Sequence, residues 1–560
     1  MYRTIIMKRV LLICLVVFVG IFYSKANTDT VFITNLSKNY DAKHAVLSNM
    51  DMQKFDYTVL NSYKRLESVS VFYCQKLDIT KFLSALQSQT SLKSLSLVGV
   101  NLSLMPNSIG NFKNLTHLSL RANQLRSMPD SLMALQHLRE LDVSANGYLY
   151  DSEVFKVLKS MAVETLDFSS SGLFGIDPSI GDVASLKRLD FSKNDIKELP
   201  ETFSKLKILS LNMSENLKID SVKFFNQLRG QTSLIELNLA RCELSFLPSS
   251  IGGLSMLEVL NLQGNQISSL PASIANLKKL KSLDLGMEGI GLRMNQISSL
   301  PSSFSGLTSL ERLDLSGNKL TVLPQDFNQL TNLRYLDLNF NALEDFPAPV
   351  VMLSKLTYLN LNGNSIVNLP INIGDLNQLE ELRLDNNFFN RFNKKIKTIP
   401  VSIGNIKPLR VLTLRDNVVE ELPSSIGNLT NLVYLDMRDN LLTTLPAEIC
   451  TLKKLRYLDL KANEIATLPA CMKELTYIED LNLSFNLSLK IGNVLEIINP
   501  ISNLRFLDVS YNNYKKEYLA DFLNQHTNCK VVNFNKKGAV QEKPIRKEEM
   551  YKFETPVDRK

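Results

Sequence analysis

Leucines recur along most of this chain at fixed intervals, and polar residues separate them in the same order each time. Aligning on the pattern LxxLxLxxN gives nineteen units, which begin at residues 66, 92, 115, 138, 163, 186, 208, 234, 257, 280, 310, 333, 356, 379, 409, 432, 455, 478 and 504. Eleven of the eighteen intervals are 23 residues long, so the basic period is 23 residues. Such self-similarity predicts a stacked repeat protein.

One unit, Leu432 to Lys454, shows what each repeat is expected to form. Leu435 and Met437 alternate with polar neighbours, which predicts a strand. Asn440 then ends the strand with an amide that can satisfy backbone groups in the turn, and Pro446 fixes the backbone where the chain turns back. Four further side chains are expected in the core: Leu442, Leu445, Ile449 and Leu452. Because one unit cannot bury its leucines alone, stacked copies should build a parallel sheet with one strand per turn.

Some units are longer and carry a helical pattern in place of LPxxI. The intervals that begin at 66, 138, 208 and 478 span 25 or 26 residues, and helices are expected over 78–86, 151–158 and 220–228, with Asp220 or Ser221 as an N-cap. The last unit predicts a helix over 517–523 and a strand-like end cap, CKVVNF, over 529–534. Residues 27–65 are irregular in pattern and are expected to cap the other end.

The pattern LxxLxLxxNxLxxLPxxIgxLxx resembles the leucine-rich repeat family over about residues 66–534. The LPxxI form is similar to the subclass of Ras-associated, plant intracellular and many bacterial repeat proteins. The resemblance implies an α/β solenoid, a right-handed horseshoe with a parallel concave sheet. It also implies a ladder of asparagines along the turns, short helices and turns on the convex side, and partners that bind the concave face.

Two units are each seven residues longer than the period. The first insert, 288–294, lies in the stretch LDLGMEGIGLRMNQISSLP, and the second lies between Asn387 and Ile396. The leucine register is expected to continue on both sides, so that the extra residues leave the core as surface loops. These loops could flank a binding site. They could equally be tolerated insertions, and the repeated NQISSLP suggests recombination.

Aromatic and basic residues concentrate around the second insert. Equivalent positions of adjacent strands form rows, and exposed tyrosine and arginine dominate many interfaces. We therefore expect a binding site over the repeats that begin at 280–432, flanked by the two loops. The second loop, with Phe388, Phe389, Arg391, Phe392, Lys394 and Lys395, is expected to contact acidic or planar groups of a partner. The competing interpretation is that the loop phenylalanines pack on the flank of the solenoid. The candidate partner-binding residues are Tyr335, Phe340, Tyr358, Arg383, Phe388, Phe389, Arg391, Phe392, Arg415, Tyr434, Arg438 and Tyr457.

The two ends of the chain differ in composition from the repeats. Residues 1–26 have a basic start, an apolar run and Ser24-Lys25-Ala26, which predicts a secretory signal peptide cleaved after Ala26; an uncleaved anchor is the alternative. No later apolar run is long enough to span a membrane. Residues 535–560 are charged and predict a disordered tail. The net charge of +7 lies mostly at these ends, and the near-neutral body predicts no nucleic-acid partner.

The sequence contains no constellation that predicts catalysis, a cofactor or a metal site. The four histidines are scattered, and HExxH, P-loop and GxSxG motifs are absent. A column of aspartates at mid-strand is interpreted as the polar, water-facing side of the sheet. The five cysteines after residue 26 are also scattered, and most are expected to be reduced and buried.

Two functions from different classes fit these features, and neither is an enzyme. The first is a secreted or cell-envelope recognition protein that binds a protein or glycan on its concave face. The alternative is an intracellular signal-transduction scaffold of the Ras-associated type, which requires the N-terminal segment to be retained. The oligomeric state is not predicted.

Overall fold

A computed structural model of the chain describes residues 30–32, 41–287, 294–385, 395–512 and 517–532. The chain forms two compact units, unit 1 over Met1–Asn295 and unit 2 over Gln296–Lys560. In each unit every turn of the chain contributes one strand, and each strand pairs in parallel with the next one in sequence. The predicted solenoid with a parallel sheet is therefore confirmed within each unit.

The sheet of unit 1 contains twelve described strands. The stretch expected to be an irregular cap carries the first two, and β2 pairs with the strand of the first repeat over five residues. The strands are β1 (Thr30–Phe32), β2 (His44–Ser48), β3 (Ser68–Phe72), β4 (Ser94–Val98), β5 (His117–Ser119), β6 (Glu140–Asp142), β7 (Thr165–Asp167), β8 (Arg188–Asp190), β9 (Ser210–Asn212), β10 (Glu236–Asn238), β11 (Val259–Asn261) and β12 (Ser282–Asp284).

The sheet of unit 2 contains ten described strands, and the expected end-cap strand is the last of them. They are β13 (Arg312–Asp314), β14 (Tyr335–Asp337), β15 (Tyr358–Asn360), β16 (Glu381–Arg383), β17 (Val411–Thr413), β18 (Tyr434–Asp436), β19 (Tyr457–Asp459), β20 (Asp480–Asn482), β21 (Phe506–Asp508) and β22 (Lys530–Val532).

The longer repeats carry α-helices, as their sequence pattern predicts. Asp78 and Asp220 cap two of them, because each carboxylate accepts a hydrogen bond from the backbone N–H three residues later, at 3.0 and 3.1 Å. The helices are α1 (Ile79–Leu86), α2 (Asp151–Leu158), α3 (Ser221–Gln227), α4 (Ile491–Ile498) and α5 (Glu517–Gln525).

The 23-residue repeats carry short 3₁₀ turns at the place where the longer repeats carry helices. In unit 1 the 3₁₀ segments are Met52–Lys54, Tyr57–Ser62, Asn107–Asn111, Asp130–Ala134, Pro178–Asp182, Glu201–Lys205, Ser249–Gly253 and Ala272–Asn276. In unit 2 they are Ser302–Gly306, Gln325–Gln329, Ala348–Met352, Ile373–Asp375, Val401–Asn405, Ser424–Asn428, Ala447–Thr451 and Ala470–Glu474.

The repeat that begins at Leu432 shows how one turn fills the core. All the side chains expected inside are buried, and most have no exposed surface: Leu432, Leu435, Met437, Leu442, Leu445, Ile449 and Leu452. The 3₁₀ turn of this repeat packs against the turn of the preceding repeat so closely that Gly427, in that preceding turn, admits no side chain. A Cβ there would lie 2.5 Å from the carbonyl oxygen of Glu448. Gly427, the last residue of Ser425-Ile426-Gly427, therefore sets the distance between these neighbouring turns.

Asparagines tie each turn to its neighbours, as the sequence predicts. Asn146 donates from its side-chain nitrogen to the carbonyl oxygens of Leu120 and Val143, at 3.0 and 2.9 Å. Its side-chain oxygen accepts from the N–H of Leu125 at 3.1 Å. The buried amide thus satisfies backbone groups of two adjacent repeats that would otherwise be left without partners. Equivalent asparagines in unit 2, such as Asn440, make the same contacts.

The mid-strand aspartates have a structural role that the sequence analysis did not assign. Oδ1 of each accepts from the backbone N–H two residues later, for example Ser144 to Asp142 at 3.0 Å in unit 1 and Asn339 to Asp337 at 3.0 Å in unit 2. The column is also more sheltered than a water-facing surface, and Asp436 is only 2% exposed. The expectation of a simple solvated surface was therefore wrong where bulky neighbours cover these carboxylates.

Three of the five cysteines after residue 26 are reduced and buried, which agrees with the expectation for most of them, and the other two form a disulfide. Cys74, Cys242 and Cys529 are free and buried, as expected. Cys450 and Cys471, however, form a disulfide with Cα atoms 5.8 Å apart. Residues about one period apart in sequence lie side by side in a solenoid, so a spacing of 21 residues brings these two 3₁₀ turns together.

The leucine register continues on both sides of the two inserts, as predicted. Leu285 and Ile297 are fully buried around the first, and Leu384 and Ile396 are buried around the second. Residues 288–293 and 386–394 themselves lie outside the described residues, as do residues 1–29 and 533–560. The predicted signal peptide, tail and loop conformations therefore remain predictions.

Candidate partner-binding surface

The pairing of the strands in unit 2 places the candidate residues in rows on the concave face, opposite the leucine core. The first strand residues align as one row: Arg312, Tyr335, Tyr358, Glu381, Val411, Tyr434, Tyr457 and Asp480. The third strand residues align as a second row: Asp314, Asp337, Asn360, Arg383, Thr413, Asp436 and Asp459. We call this surface, from β13 to β19, the tyrosine face.

The first tyrosine pair forms a tight stack with an arginine. The rings of Tyr335 and Tyr358 have centroids 4.3 Å apart and planes within 4° of parallel. The guanidinium carbon of Arg312 lies 3.4 Å from the centroid of Tyr335, over the face of the ring. Arginine stacked on an aromatic face gains cation–π attraction. Both faces of Tyr335 are therefore covered, and the stack meets solvent mainly with ring edges and hydroxyls.

The second tyrosine pair is looser. The ring centroids of Tyr434 and Tyr457 are 5.9 Å apart, and their planes are tilted by 38°. The guanidinium carbon of Arg456 lies 5.8 Å from the Tyr457 centroid. Burial raises the pKa of Tyr434 above the ordinary range, with the carboxylate of Asp436 adding to the effect. Both phenols therefore stay neutral and act as hydrogen-bonding groups at the edges of apolar rings.

Two of the three candidate arginines of the tyrosine face are held by carboxylates of the same face. Arg383 donates to Glu381, which is 2% exposed. Arg438 donates from Nε to both oxygens of Asp436 at 2.9 Å, and its Nε lies 3.3 Å from Oδ2 of Asp459. Both guanidinium groups are thus fixed in place. Both arginines keep their place among the candidate partner-binding residues, but their charge is already matched by carboxylates of this chain.

Arg415 is the candidate arginine that remains most accessible. Its side chain is 45% exposed, and its Nε lies 3.6 Å from Oδ2 of Asp439, an exposed pair that contributes little to stability. Arg415 also shapes the surface through its backbone, because its N–H donates to Oδ1 of Asp385 at 2.8 Å. The accessible cation therefore lies at the margin of the rows.

Phe340 lies just beyond the end of β14 in a backbone conformation that favours glycine. Its φ is +51°, and the equivalent positions of the adjacent repeats are Gly317 at +63° and Gly363 at +65°. A non-glycine residue in this region costs roughly 1 kcal/mol relative to glycine. Phe340 is half-buried and lies three residues beyond the last residue of β14, whereas Tyr335 is the first residue of that strand. Phe388, Phe389, Arg391 and Phe392, by contrast, lie outside the described residues.

Several carboxyls of the tyrosine face are shifted towards neutrality. Burial, followed by the charge of Asp314, raises the pKa of Asp337 to about 7. Burial, followed by Asp436, raises the pKa of Asp385 to about 6 and that of Asp459 to about 8. Desolvation and like charges are the expected causes where carboxyls lie on neighbouring strands.

Sequence reasoning missed part of this surface, although the signal was present. Arg312 precedes Tyr335 by one period and Glu381 follows Tyr358 by one period, so both belong to the row of tyrosines. The pairing of the arginines was also readable, because residues two apart in a strand share a face. The sequences RLD, ELR and DMR at 312–314, 381–383 and 436–438 each place opposite charges two residues apart.

The described residues hold no group of three or more histidine, cysteine, aspartate or glutamate side chains that could bind a metal ion. Within the same ranges, no helix has both the length and the apolar character needed to cross a lipid bilayer.

Family models and solved structures identify the architecture. A leucine-rich repeat region model matches residues 393–542, and three further leucine-rich repeat models match 286–343, 255–301 and 185–206. No curated protein sequence is significantly similar to the chain.

Solved structures resemble the chain at low sequence identity. A chain of the glycosylated Toll–Spatzle complex of Drosophila is 19% identical, with a TM-score of 0.64 over 87% of this chain and 65% of that one. A TDR receptor is 22% identical, with a TM-score of 0.57 over 89% and 85%. A leucine-rich repeat protein of Leptospira interrogans is 24% identical, with a TM-score of 0.44 over 84% and 91%. At these identities the first two structures show the fold alone. With the repeats, the asparagine ladder and the family models in agreement, this chain is a leucine-rich repeat protein.

Proposed function

We propose that this protein is a non-catalytic recognition protein, secreted or held in the cell envelope, that binds a protein partner on the tyrosine face of unit 2. The observation that carries the proposal is the stack of Arg312, Tyr335 and Tyr358 on the concave side of the sheet. Tyrosine and arginine in rigid, half-buried positions supply much of the binding energy in protein interfaces. Rigid anchors also lose little conformational entropy when a partner binds.

The geometry of the stack favours a protein over a glycan. A sugar ring that packs on an aromatic residue needs a free ring face, whereas Arg312 and Tyr358 cover the faces of Tyr335. What the stack offers instead is a row of apolar edges and hydroxyls that repeats with the strand spacing, roughly 4.8 Å. An extended polypeptide, which alternates side chains and backbone polar groups, complements such a row.

Two observations support an extracytoplasmic location. The first is the signal-peptide pattern of residues 1–26, which lie outside the described residues. The second is the disulfide between Cys450 and Cys471, because disulfides persist in oxidising compartments and are rare in the cytosol. The alternative, an intracellular scaffold of the Ras-associated type, would place this pair of cysteines under reducing conditions.

The binding proposal is tested by comparing two variants of the full mature chain as bait. Tyr335 and Tyr358 are replaced together by alanine, and the control carries Thr165→Ala and Ser210→Ala at the same strand position in unit 1. Envelope proteins retained by each bait are measured by quantitative mass spectrometry. We expect one set of proteins to be lost with the tyrosine variant alone. Equal retention by wild type and tyrosine variant would contradict the proposal.

The compartment is tested separately by determining the mature N-terminus of the native protein. A chain that begins at Asn27 in the envelope or medium is expected. A chain that keeps Met1 in the cytosol, with Cys450 and Cys471 reduced, would favour the scaffold alternative.

A further inference from the structure

The charges of the tyrosine face are unevenly matched. Three of its arginines lie in ion pairs with carboxylates of their own repeat: Arg312 with Asp314 at 3.7 Å, Arg383 with Glu381, and Arg438 with Asp436. Each arginine lies two residues from its partner in sequence, Arg312 and Arg383 within a strand and Arg438 just beyond the end of β18. A partner that approaches this face therefore meets few cations free to accept an anionic group.

Asp337 is in the opposite situation. Within the described part of the chain it forms no ion pair, although it is only 6% exposed. Its oxygens accept from neutral groups: the side-chain nitrogens of Asn339 and Asn360 at 2.7 and 3.2 Å, and the hydroxyl of Tyr335 at 3.3 Å. A sheltered carboxylate without a cation is unfavourable, and an incoming cation would compensate it.

Asp385, immediately beyond β16, completes the imbalance. No described lysine or arginine forms an ion pair with it either, although the charge of Arg383, which is bound to Glu381, acts to lower its pKa. Asp385 accepts from the side-chain nitrogen of Asn362 at 3.2 Å and from the N–H of Arg415 at 2.8 Å. Asn360 and Asn362 thus stand between the two carboxylates, one bound to each. Asp337 and Asp385 lie two strands apart, roughly 10 Å along the sheet.

We propose that Asp337 and Asp385 receive lysine or arginine side chains of an extended basic segment of the protein partner, with the Tyr335–Tyr358 stack contacting the apolar stems of those side chains. This inference rests on the proposed function and adds the chemistry of the partner. The stem of lysine or arginine packs on apolar surface while its charged head reaches a polar site. Charge complementarity of this kind sets which partners are admitted and rejected.

The ionisation of the two carboxyls agrees with this assignment. Burial and the neighbouring acids Asp314 and Asp436 raise the pKa of Asp337 to about 7 and that of Asp385 to about 6. A bound cation stabilises the charged form and would lower both pKa values. The binding experiment is therefore performed at pH 8, where both groups are ionised before the ligand arrives.

Unit 1 offers a matched control for charge alone. Asp190 on β8 occupies the same strand position as Asp337 and makes the same kinds of contact. It accepts from the N–H of Ser192 at 2.9 Å and from the side-chain nitrogen of Asn212 at 2.8 Å. No tyrosine adjoins it on β7, β8 or β9. Asp190→Asn removes an equivalent charge from a face without a tyrosine stack.

The test measures the binding of three fluorescein-labelled peptides to the full mature chain by fluorescence anisotropy. The peptides alternate serine with lysine, glutamine or glutamate. The variants are Asp337→Asn and Asp385→Asn, which copy the asparagines that stand at the same positions of β15 and the turn after it. We expect only the lysine peptide to bind the wild type, and each of these variants to weaken it about tenfold. Asp190→Asn should leave its affinity unchanged.

The outcomes separate this inference from the proposed function. Absence of lysine-peptide binding, or an equal loss in Asp190→Asn, overturns the basic-segment assignment. If the glutamate or glutamine peptide binds instead and Tyr335→Ala abolishes that binding, the assignment fails while the tyrosine face stands as a binding surface. If the lysine peptide binds and neither aspartate variant weakens it, the assignment is likewise overturned.

Discussion

The two units have the same repeat but differ in what they present on the concave face. Three residues of each repeat lie on the solvent side: the first and third strand residues, and the residue two positions after the third. At these positions of β4 to β12 in unit 1 there is no phenylalanine or tyrosine, and serine is the commonest residue. Unit 2 carries stacked tyrosines and arginines that are bound to carboxylates. Since the core and the ladder are equivalent, the difference lies entirely in residues that the fold does not need. Such residues are where a binding function is to be sought.

The two faces also differ in how they hold their carboxyls. In unit 1, Asp167 lies between Asp142 and Asp190, so that three acids stand on adjacent strands. In unit 2, Asp436 and Asp459 share the guanidinium of Arg438. The carboxyls around Asp167 therefore have no arginine between them, whereas the pair of Asp436 and Asp459 in unit 2 has the guanidinium of Arg438. Two predictions separate these situations, and a third compares the backbone of the two units.

The largest effect is expected for Arg438→Ala. Because the substitution leaves Asp436 and Asp459 sheltered and without their cation, we expect the free energy of unfolding to fall by about 3 kcal/mol. Chemical denaturation at pH 8 measures it. Arg121→Ala, at the equivalent position after β5 on an exposed side chain, should change stability by less than about 0.5 kcal/mol.

A second substitution shows whether charge is the cause of that loss. Adding Asp436→Asn to Arg438→Ala removes one of the uncompensated carboxylates and should restore part of the stability. If the double variant is no more stable than Arg438→Ala, then lost packing of the arginine stem explains the effect and the electrostatic account is wrong.

The second prediction concerns Asp167→Asn, which should stabilise the protein. Burial, with Asp190 and Asp142 alongside, raises the pKa of Asp167 to about 7. A folded-state pKa above the unfolded value means that stability falls as pH rises from about 4 to 7, because folding disfavours the ionised form. We expect the variant to gain about 1–2 kcal/mol at pH 8 and to match the wild type near pH 4.

The geometry of unit 1 offers a partner for the new amide. Asn212 already donates to Asp190 on the preceding strand at 2.8 Å, so an asparagine at 167 can donate to Asp142 in the same way. Denaturation at the two pH values tests the prediction. A gain of equal size at both would attribute it to the hydrogen bond rather than to the charge.

The sequence predicted the repeat architecture far better than the surface. The spacing of Leu435, Met437 and Asn440 identifies strand, core and turn, because each repeat faces the same packing problem and solves it in the same way. The tyrosine rows followed from the period as well. The arginine pairs were not predicted, because an arginine taken alone in the sequence looks like an isolated surface group. The Cys450–Cys471 disulfide was missed because cysteines 21 residues apart in sequence are distant in space in most folds. In a solenoid the same separation places them side by side on neighbouring repeats.

The smallest effect on stability, and the sharpest contrast between the units, is expected for Phe340→Gly and Ser170→Gly. Both residues have φ above +50° at the same position of the repeat, so glycine should relieve roughly 1 kcal/mol of backbone strain in each. Ser170 is exposed on unit 1, and its replacement should change stability alone. Phe340 adjoins the tyrosine face, so its replacement should also weaken the lysine peptide several-fold while stability holds or rises. If the peptide binds Phe340→Gly as tightly as the wild type, then the strained aromatic residue takes no part in recognition, and the binding surface contracts to the rows between Arg312 and Tyr457.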